Sequence, residues 1–280
     1  KYRGRNNGLC KTGNGKKQAR TSMKPIALSL VNAKGRENED AWYVGKNPVF
    51  VVVEGITRPL HSDGTYQSPS EAALAAKQCC QAIGLFLDAH YSSSAKPKQL
   101  LRSAFWEGNM AIEELNRGKE QTTLDFSQDD YLGTVAVAAV LKRRKLHCVW
   151  IGDGGAAIFD HNDHLYFLTS NHVASLEEYR EGLLGTHRDK MKVWRENLRN
   201  KPSALYMTYG ALTGETKAEE YFEEVSVVLP KGALVMLYSD GFYPFMMKAS
   251  VRQMLRKNIS PRALIEEKCI DDATCIAFSL

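Results

Sequence analysis

From Ile26 onward the order of apolar and polar positions becomes regular, and it predicts strands first. Ile26–Val31 and Val49–Val53 are short runs of branched residues of the kind that form β-strands. Two helices follow. The first opens at Ser68-Pro69-Ser70-Glu71, a strong N-terminal signal, and carries an apolar stripe through Ala72, Ala76, Cys79, Ile83 and Leu87. The second places Leu101, Phe105, Ile112 and Leu115 at similar spacing. Thr134–Leu141, Leu146–Ile151, Ala156–Phe159 and Leu165–Leu168 then read as an antiparallel meander, the last two runs joined by the turn Asp160–His164. A polar stretch interrupts the strands, with helical pattern over Leu176–Leu184 and Lys190–Arg199. Val225–Leu229 and Ala233–Tyr238 are joined by the turn Pro230-Lys231-Gly232. Helical segments fill 247–268, and Ala273–Phe278 closes the chain as a strand. Strands, two helices, more strands and late helices predict an α+β layered domain rather than a parallel βαβ fold. There is no internal repeat.

Charge divides the chain unevenly. The net charge is +5, yet residues 1–36 hold ten Lys or Arg and no acid, so the remaining 244 residues carry 27 basic against 32 acidic side chains. Residues 1–25 are therefore read as a basic flexible arm, and 26–280 as one domain with a polar insertion at about 171–222. The arm lacks the interleaved aromatics that stack single-stranded bases, which argues against nucleic acid as a partner. Six cysteines form no CxxC pair and sit mostly in apolar runs, as expected in a reducing cytoplasm. The longest apolar stretch, Val135–Leu141, is far short of the roughly 20 residues that cross a bilayer. Neither a membrane span nor a secretory signal is expected.

Chemistry enters with a recurring placement. Carboxylates stand at the ends of β-runs, each beside a glycine or a second acid: Asn38-Glu39-Asp40, Val53-Glu54-Gly55, Ile151-Gly152-Asp153-Gly154, Tyr238-Ser239-Asp240-Gly241 and Ile270-Asp271-Asp272-Ala273-Thr274. Burying an acid after an apolar strand is costly unless it is paired or bound to metal. Hard divalent cations need several oxygen ligands at once, and strand ends converging from two sheets can supply them. Any one Asp-Gly alone is a common turn. His161 and His164 have a spacing that could grip zinc, but they read as a solvated hairpin tip. Gly152–Gly155 precedes a strand rather than a helix and so is not a phosphate loop.

Taken together and in order, these motifs resemble the signature of the PPM (type 2C) metal-dependent protein phosphatases, over roughly residues 26–280. The resemblance implies a four-layer α/β/β/α sandwich of two antiparallel sheets flanked by helices, with a two-metal centre at one edge. It implies that Glu54 bridges two Mg²⁺ or Mn²⁺ ions, that the Gly55 carbonyl is a ligand, and that Asp240 and Asp271 hold the first ion. Glu39 matches an outer ligand of the second, and Asp40 the acid that supports bound water. Asp153 matches an acid that joins Asp240 at a third, weaker position. Such a pair of cations lowers the pKa of a shared water for in-line attack on phosphorus. The implied substrate is phosphoserine or phosphothreonine in a phosphoprotein, in a signalling setting with a cognate Ser/Thr kinase.

The chain departs from that pattern in four ways. The bridging acid, aspartate in the family, is Glu54. The usual Gly-Gly after it is Ile56-Thr57-Arg58. The phosphate-holding arginine expected at Gly35 is displaced, leaving Arg36 or Arg58 as the catalytic candidates, since arginine's planar fork binds phosphate bidentately. Pro244 replaces an acid common after Asp240-Gly241. Two functions follow: an active phosphatase, or a pseudophosphatase that keeps the fold as a binding or regulatory module with Glu54 impairing the metal pair. Because no motif acid lies in residues 1–24, their deletion is expected to leave metal-dependent turnover of a small phosphate ester unchanged. A fall in the melting temperature of the truncated chain would show instead that the arm is integral to the domain.

Overall fold

The computed structural model describes residues 23–32, 36–57, 68–119, 124–125, 131–174, 176, 193–201 and 208–280. Among these, ten strands form two five-stranded antiparallel sheets. One has the order β1 (Ile26–Leu30), β10 (Ala273–Ser279), β9 (Leu234–Tyr238), β6 (Gly155–Phe159), β7 (Leu165–Leu168). The other runs β2 (Asp40–Val44), β3 (Val49–Gly55), β4 (Thr134–Lys142), β5 (Lys145–Ile151), β8 (Glu223–Val228).

Strand alternation explains the layering. Phe50 and Val52 of β3 point between the sheets, where they meet Val235, Leu237, Ile276 and Phe278, and the Phe50 and Phe278 rings stack 4.6 Å apart. Val49, Val51 and Val53 point the other way, onto helices α1 (Glu71–His90) and α2 (Pro97–Lys119). On the opposite sheet Phe159, Leu234, Met236 and Ala277 pack under α3 (Tyr243–Met246), α4 (Ala249–Arg256) and α5 (Arg262–Ile265). The result is the expected four layers. Central strand β4 is covered on both faces, which is why its sequence is continuously apolar instead of alternating.

Helix α1 begins where the sequence places it. Ser70 is the N-cap, its side chain accepting from the Ala73 N–H at 3.2 Å, with Glu71 in the first turn. Every residue of its predicted stripe is buried. The start of α1 presses directly on the end of β3: a Cβ at Gly55 would lie 2.2 Å from the Ala72 carbonyl oxygen, so only glycine permits that approach. Among the described residues no helix is long and apolar enough to cross a membrane, and Cys79, Cys80, Cys148, Cys269 and Cys275 are buried free thiols.

One strand was unexpected and one expected helix differs. Strand β2 was not expected; Asp-Ala-Trp-Tyr-Val is a half-exposed edge strand and its apolar run is too short to stand out. The helix expected over Lys190–Arg199 is, within the described part, one π-helical turn, Trp194–Leu198. Its apolar residues pack with Tyr209 and Val173, and Arg199 then bridges Tyr209. All of the Leu176–Leu184 helix beyond Leu176 lies outside the described residues.

The far end of the insertion is stapled to α2 by asparagines. Asn116, fully buried, donates to the carbonyls of Leu132 (3.1 Å) and Thr213 (3.0 Å) and accepts from the Leu132 N–H (2.9 Å). Asn109 accepts from the Thr213 and Gly214 N–H groups. Replacing Asn116 by alanine strands three backbone groups, each worth about 1–3 kcal/mol when buried without a partner. Asn116→Ala is expected to lower unfolding free energy by on the order of 3 kcal/mol in urea denaturation. A loss below about 0.5 kcal/mol, the level of an ordinary surface substitution, would contradict the staple.

Candidate metal centre

Strand register brings the motif acids to one edge of the sandwich. Asp40 opens β2 and is the cross-strand partner of Glu54 at the end of β3. Tyr238 pairs with both Gly155 and Cys275, so the turns holding Asp153, Asp240 and Asp271 lie side by side at one end of the other sheet, the Asp153 turn joining β5 to β6. Opposed like charges are destabilising. Here five of them share one field: burial first, then Asp240, Asp153, Asp40 and Asp271 in that order, push the Glu54 carboxyl well above its ordinary range. Burial, followed by Asp153 and Asp271, raises Asp240 to about 7. Asp40 is raised to about 8, chiefly by burial and against the pull of its Ser239 hydrogen bond.

A hydrogen-bonded frame aims these groups. Ser239 donates to Asp40 Oδ2 at 2.7 Å and accepts from the Thr274 N–H at 2.9 Å, tying the start of β2 to β10. Asp272 is buried, and its carboxylate accepts from the backbone N–H of Asn32 (2.9 Å) and Glu39 (2.7 Å), which pins the β1–β2 connection across the gap between the sheets. Asp271, its neighbour, has a side chain 56% exposed. Only Asp271 of the two retains a face toward solvent.

Glu39 sits beside the cluster with its carboxylate already held. Thr57 donates to Oε2 at 2.6 Å and Ser70 to Oε1 at 2.7 Å. Because Ser70 is the N-cap of α1, the charge of Glu39 stands at the positive end of that helix. Arg36 lies 3.5 Å from Asp271 Oδ1 and 4.0 Å from Glu39 Oε2, at the mouth of the cluster. Gly55 ends β3, its N–H donating to the Glu39 carbonyl at 2.8 Å. Gly241 is as confined: a Cβ there would lie 2.0 Å from the Asp272 carbonyl oxygen. Arg58 lies outside the described residues.

The structure thus gathers Asp40, Glu54, Asp153, Asp240 and Asp271, and sets Glu39, Gly55 and Arg36 at their border. From the sequence, Thr57, Ser70, Ser239 and Asp272 had no expected role at this centre, Ser70 being expected only as part of a helix start. Ser239 and Asp272 stood inside the quoted motifs, so a signal existed; Thr57 and Ser70 had none tying them to Glu39. Among the described residues no three Asp, Glu, His or Cys side chains are already arranged to hold a metal ion. The donor chemistry nevertheless fits hard cations. Asp40 Oδ1, Glu54 Oε2 and Asp240 Oδ1 are buried oxygens without a hydrogen-bond partner, each the expensive kind of group that a divalent ion satisfies.

Residues 32–266 match the family model for Protein phosphatase 2C. No curated protein matches the sequence. Among solved structures, the chain is similar to the Mycobacterium tuberculosis serine/threonine phosphatase PstP, with 19% identity, a TM-score of 0.64 and coverage of 92% of this chain and 98% of that one. A second structure, the PstP catalytic domain in complex with two manganese ions, also has 19% identity, with a TM-score of 0.59 over 92% and 97% of the two chains. Pseudomonas aeruginosa PppA is 16% identical, with a TM-score of 0.59 over 92% and 98%. At these identities the structural likeness speaks for the fold.

The raised acids set a pH dependence. The unfolded chain releases these protons near pH 4, whereas the folded chain holds them toward pH 7 for Asp240 and 8 for Asp40. Between those limits the folded state binds more protons, so its stability falls as pH rises. In EDTA, the melting temperature is expected to drop from about pH 5 to about pH 8.5. Added Mn²⁺, which binds the ionised cluster, should raise it most at the alkaline end. A melting temperature that rises over that range in EDTA would contradict the shared field.

Proposed function

The chain belongs to the protein phosphatase 2C family, and from that premise we propose that it hydrolyses phosphoserine and phosphothreonine in proteins at a centre holding two Mg²⁺ or Mn²⁺ ions. The observation that carries this reading is the set of buried, unpartnered oxygens on Asp40, Glu54 and Asp240, which share one electrostatic field with Asp153 and Asp271.

In this reading Glu54, the Gly55 carbonyl, Asp240 and Asp271 hold the pair of ions, with Glu39 at the outer side of the second. Asp153 and Asp240 form a weaker third position. The ions, when bound, lower the pKa of a water and offset the charge of the phosphate. The other tasks fall to the chain. Asp40, fixed by Ser239 through Oδ2, keeps Oδ1 available to orient a water and take up its proton. Arg36 can leave its 3.5 Å contact with Asp271 for a bidentate grip on the phosphate once cations neutralise that acid. Glu39 is preset by Thr57 and Ser70, so it enters the site without losing rotamer freedom at the moment of binding. The substrate would be the product of a Ser/Thr kinase, and the insertion beside the site would help select it.

Hydrolysis of a small aryl phosphate with Mn²⁺, abolished by EDTA, is the expected result. Asp240→Asn keeps the shape and removes charge from an acid serving more than one ion. It should lower turnover by more than the roughly 10–100-fold typical of losing a mere outer-shell partner, with an unaltered circular dichroism spectrum. Glu54→Ala should abolish metal binding, while Glu54→Asp should keep or raise activity. A wild type that is inert but rescued by Glu54→Asp would establish the pseudophosphatase instead. Wild-type turnover untouched by Glu54→Ala would remove Glu54 from the centre altogether.

A further inference from the structure

One residue at the base of the insertion grips the backbone of the Asp153 turn. Gly152, the residue before Asp153, has φ +92°, and a Cβ there would lie 2.3 Å from the Val135 side chain. Its peptide groups are clasped twice by His172. The His172 N–H donates to the Gly152 carbonyl at 3.1 Å, and the Gly152 N–H donates to His172 Nδ1 at 3.3 Å. An accepting Nδ1 leaves the ring proton on Nε2. That Nε2 lies 2.8 Å from Glu223 Oε1, off the line of a good hydrogen bond but within ion-pair distance. Ser170 donates to the other oxygen of Glu223 at 2.7 Å, and Trp150 Nε1 donates to the Ser170 carbonyl at 3.1 Å.

The placement of this chain of contacts is specific. His172 begins the insertion, and Glu223, the first residue of β8, follows its end. The two ends therefore meet over Gly152. The His172 side chain is only 9% exposed, whereas that of Glu223 is 47% exposed. The buried ring is thus the element fixed against the turn, and the carboxylate is the solvent-facing partner that orients it. A carboxylate that orients an imidazole, which in turn fixes a ligand's position, is how outer-shell groups tune metal sites.

We propose that His172, oriented by Glu223, is a positioning residue for Asp153, and that through it the base of the insertion sets the affinity of the weaker cation position shared by Asp153 and Asp240. This rests on the metal-centre reading above. His172 touches neither cation nor substrate in this account; it acts through the Gly152 peptide. The consequence is a separation of effects. Loss of the clasp loosens Asp153 and leaves Glu54 at the end of β3 and Asp271 in the turn before β10, so the tighter pair of ions is spared.

The test is Mn²⁺ binding to the full chain, followed by electron paramagnetic resonance of free Mn²⁺, beside urea denaturation and the kcat and KM for an aryl phosphate. His172→Leu is expected to weaken the weakest Mn²⁺ site at least about tenfold, the lower range for an outer-shell partner, with the tighter sites and the urea midpoint retained. His172→Asn, whose Oδ1 can replace Nδ1 as acceptor for the Gly152 N–H, should restore that site. Unchanged Mn²⁺ affinities in His172→Leu would overturn the proposal. So would loss of all sites together without rescue by His172→Asn, which marks a purely structural residue. A wild type with two sites and no weaker one overturns this proposal alone. A wild type that binds no Mn²⁺ overturns the metal-centre reading itself.

Discussion

Repulsion among five carboxylates at one end of a β-sandwich is the constraint on which the rest of this structure depends. Register leaves no choice about it, because Asp40 and Glu54 are paired across β2 and β3 while Asp153, Asp240 and Asp271 stand in the turns at neighbouring ends of β6, β9 and β10 in the facing sheet. Only protons or cations relieve such a field. The raised pKa values of Asp40 and Asp240 express the first solution, and the unpartnered oxygens express the readiness for the second. A chain selected for stability alone would have little reason to keep this arrangement.

The surrounding frame makes the cost tolerable. Ser239 and Asp272 use side-chain hydrogen bonds to lock backbone across the gap between the sheets. Gly55 and Gly241 let backbone approach where any Cβ would collide with a carbonyl oxygen. The apolar layers do the rest: β3 and β9 are buried along almost their whole length, so the strand ends that carry Glu54 and Asp240 are anchored in the core. The repulsion is therefore borne by the core, and the acids hold position.

Much of this was legible in the sequence. Strand and helix periods pointed to an α+β layered domain, the family resemblance to its four layers, and the acids announced themselves by standing where apolar runs stop. What could not be read was which of two adjacent groups does which task. Asp271 and Asp272 are indistinguishable as letters; the register buries one against two backbone N–H groups and leaves the other exposed. Glu39 was legible as an acid but not as one already held by Thr57 and Ser70, which are 18 and 31 residues away. Strand β2 was hidden because an edge strand buries too little to show an apolar pattern. The contacts of His172 join residues far apart in the chain, and no spacing rule reaches that distance.

Anomalous diffraction from a crystal soaked in Mn²⁺ tests the central claim most directly, because it locates the ions without reference to activity. The account predicts two peaks at the edge of the sandwich, with Glu54 reaching both and Asp240 and Asp271 on one, at the distances of about 2.0–2.3 Å usual for a hard cation and carboxylate oxygen. A crystal with no anomalous signal among these acids, or with ions bound elsewhere and Glu54 still facing Asp240 unbridged, would contradict it.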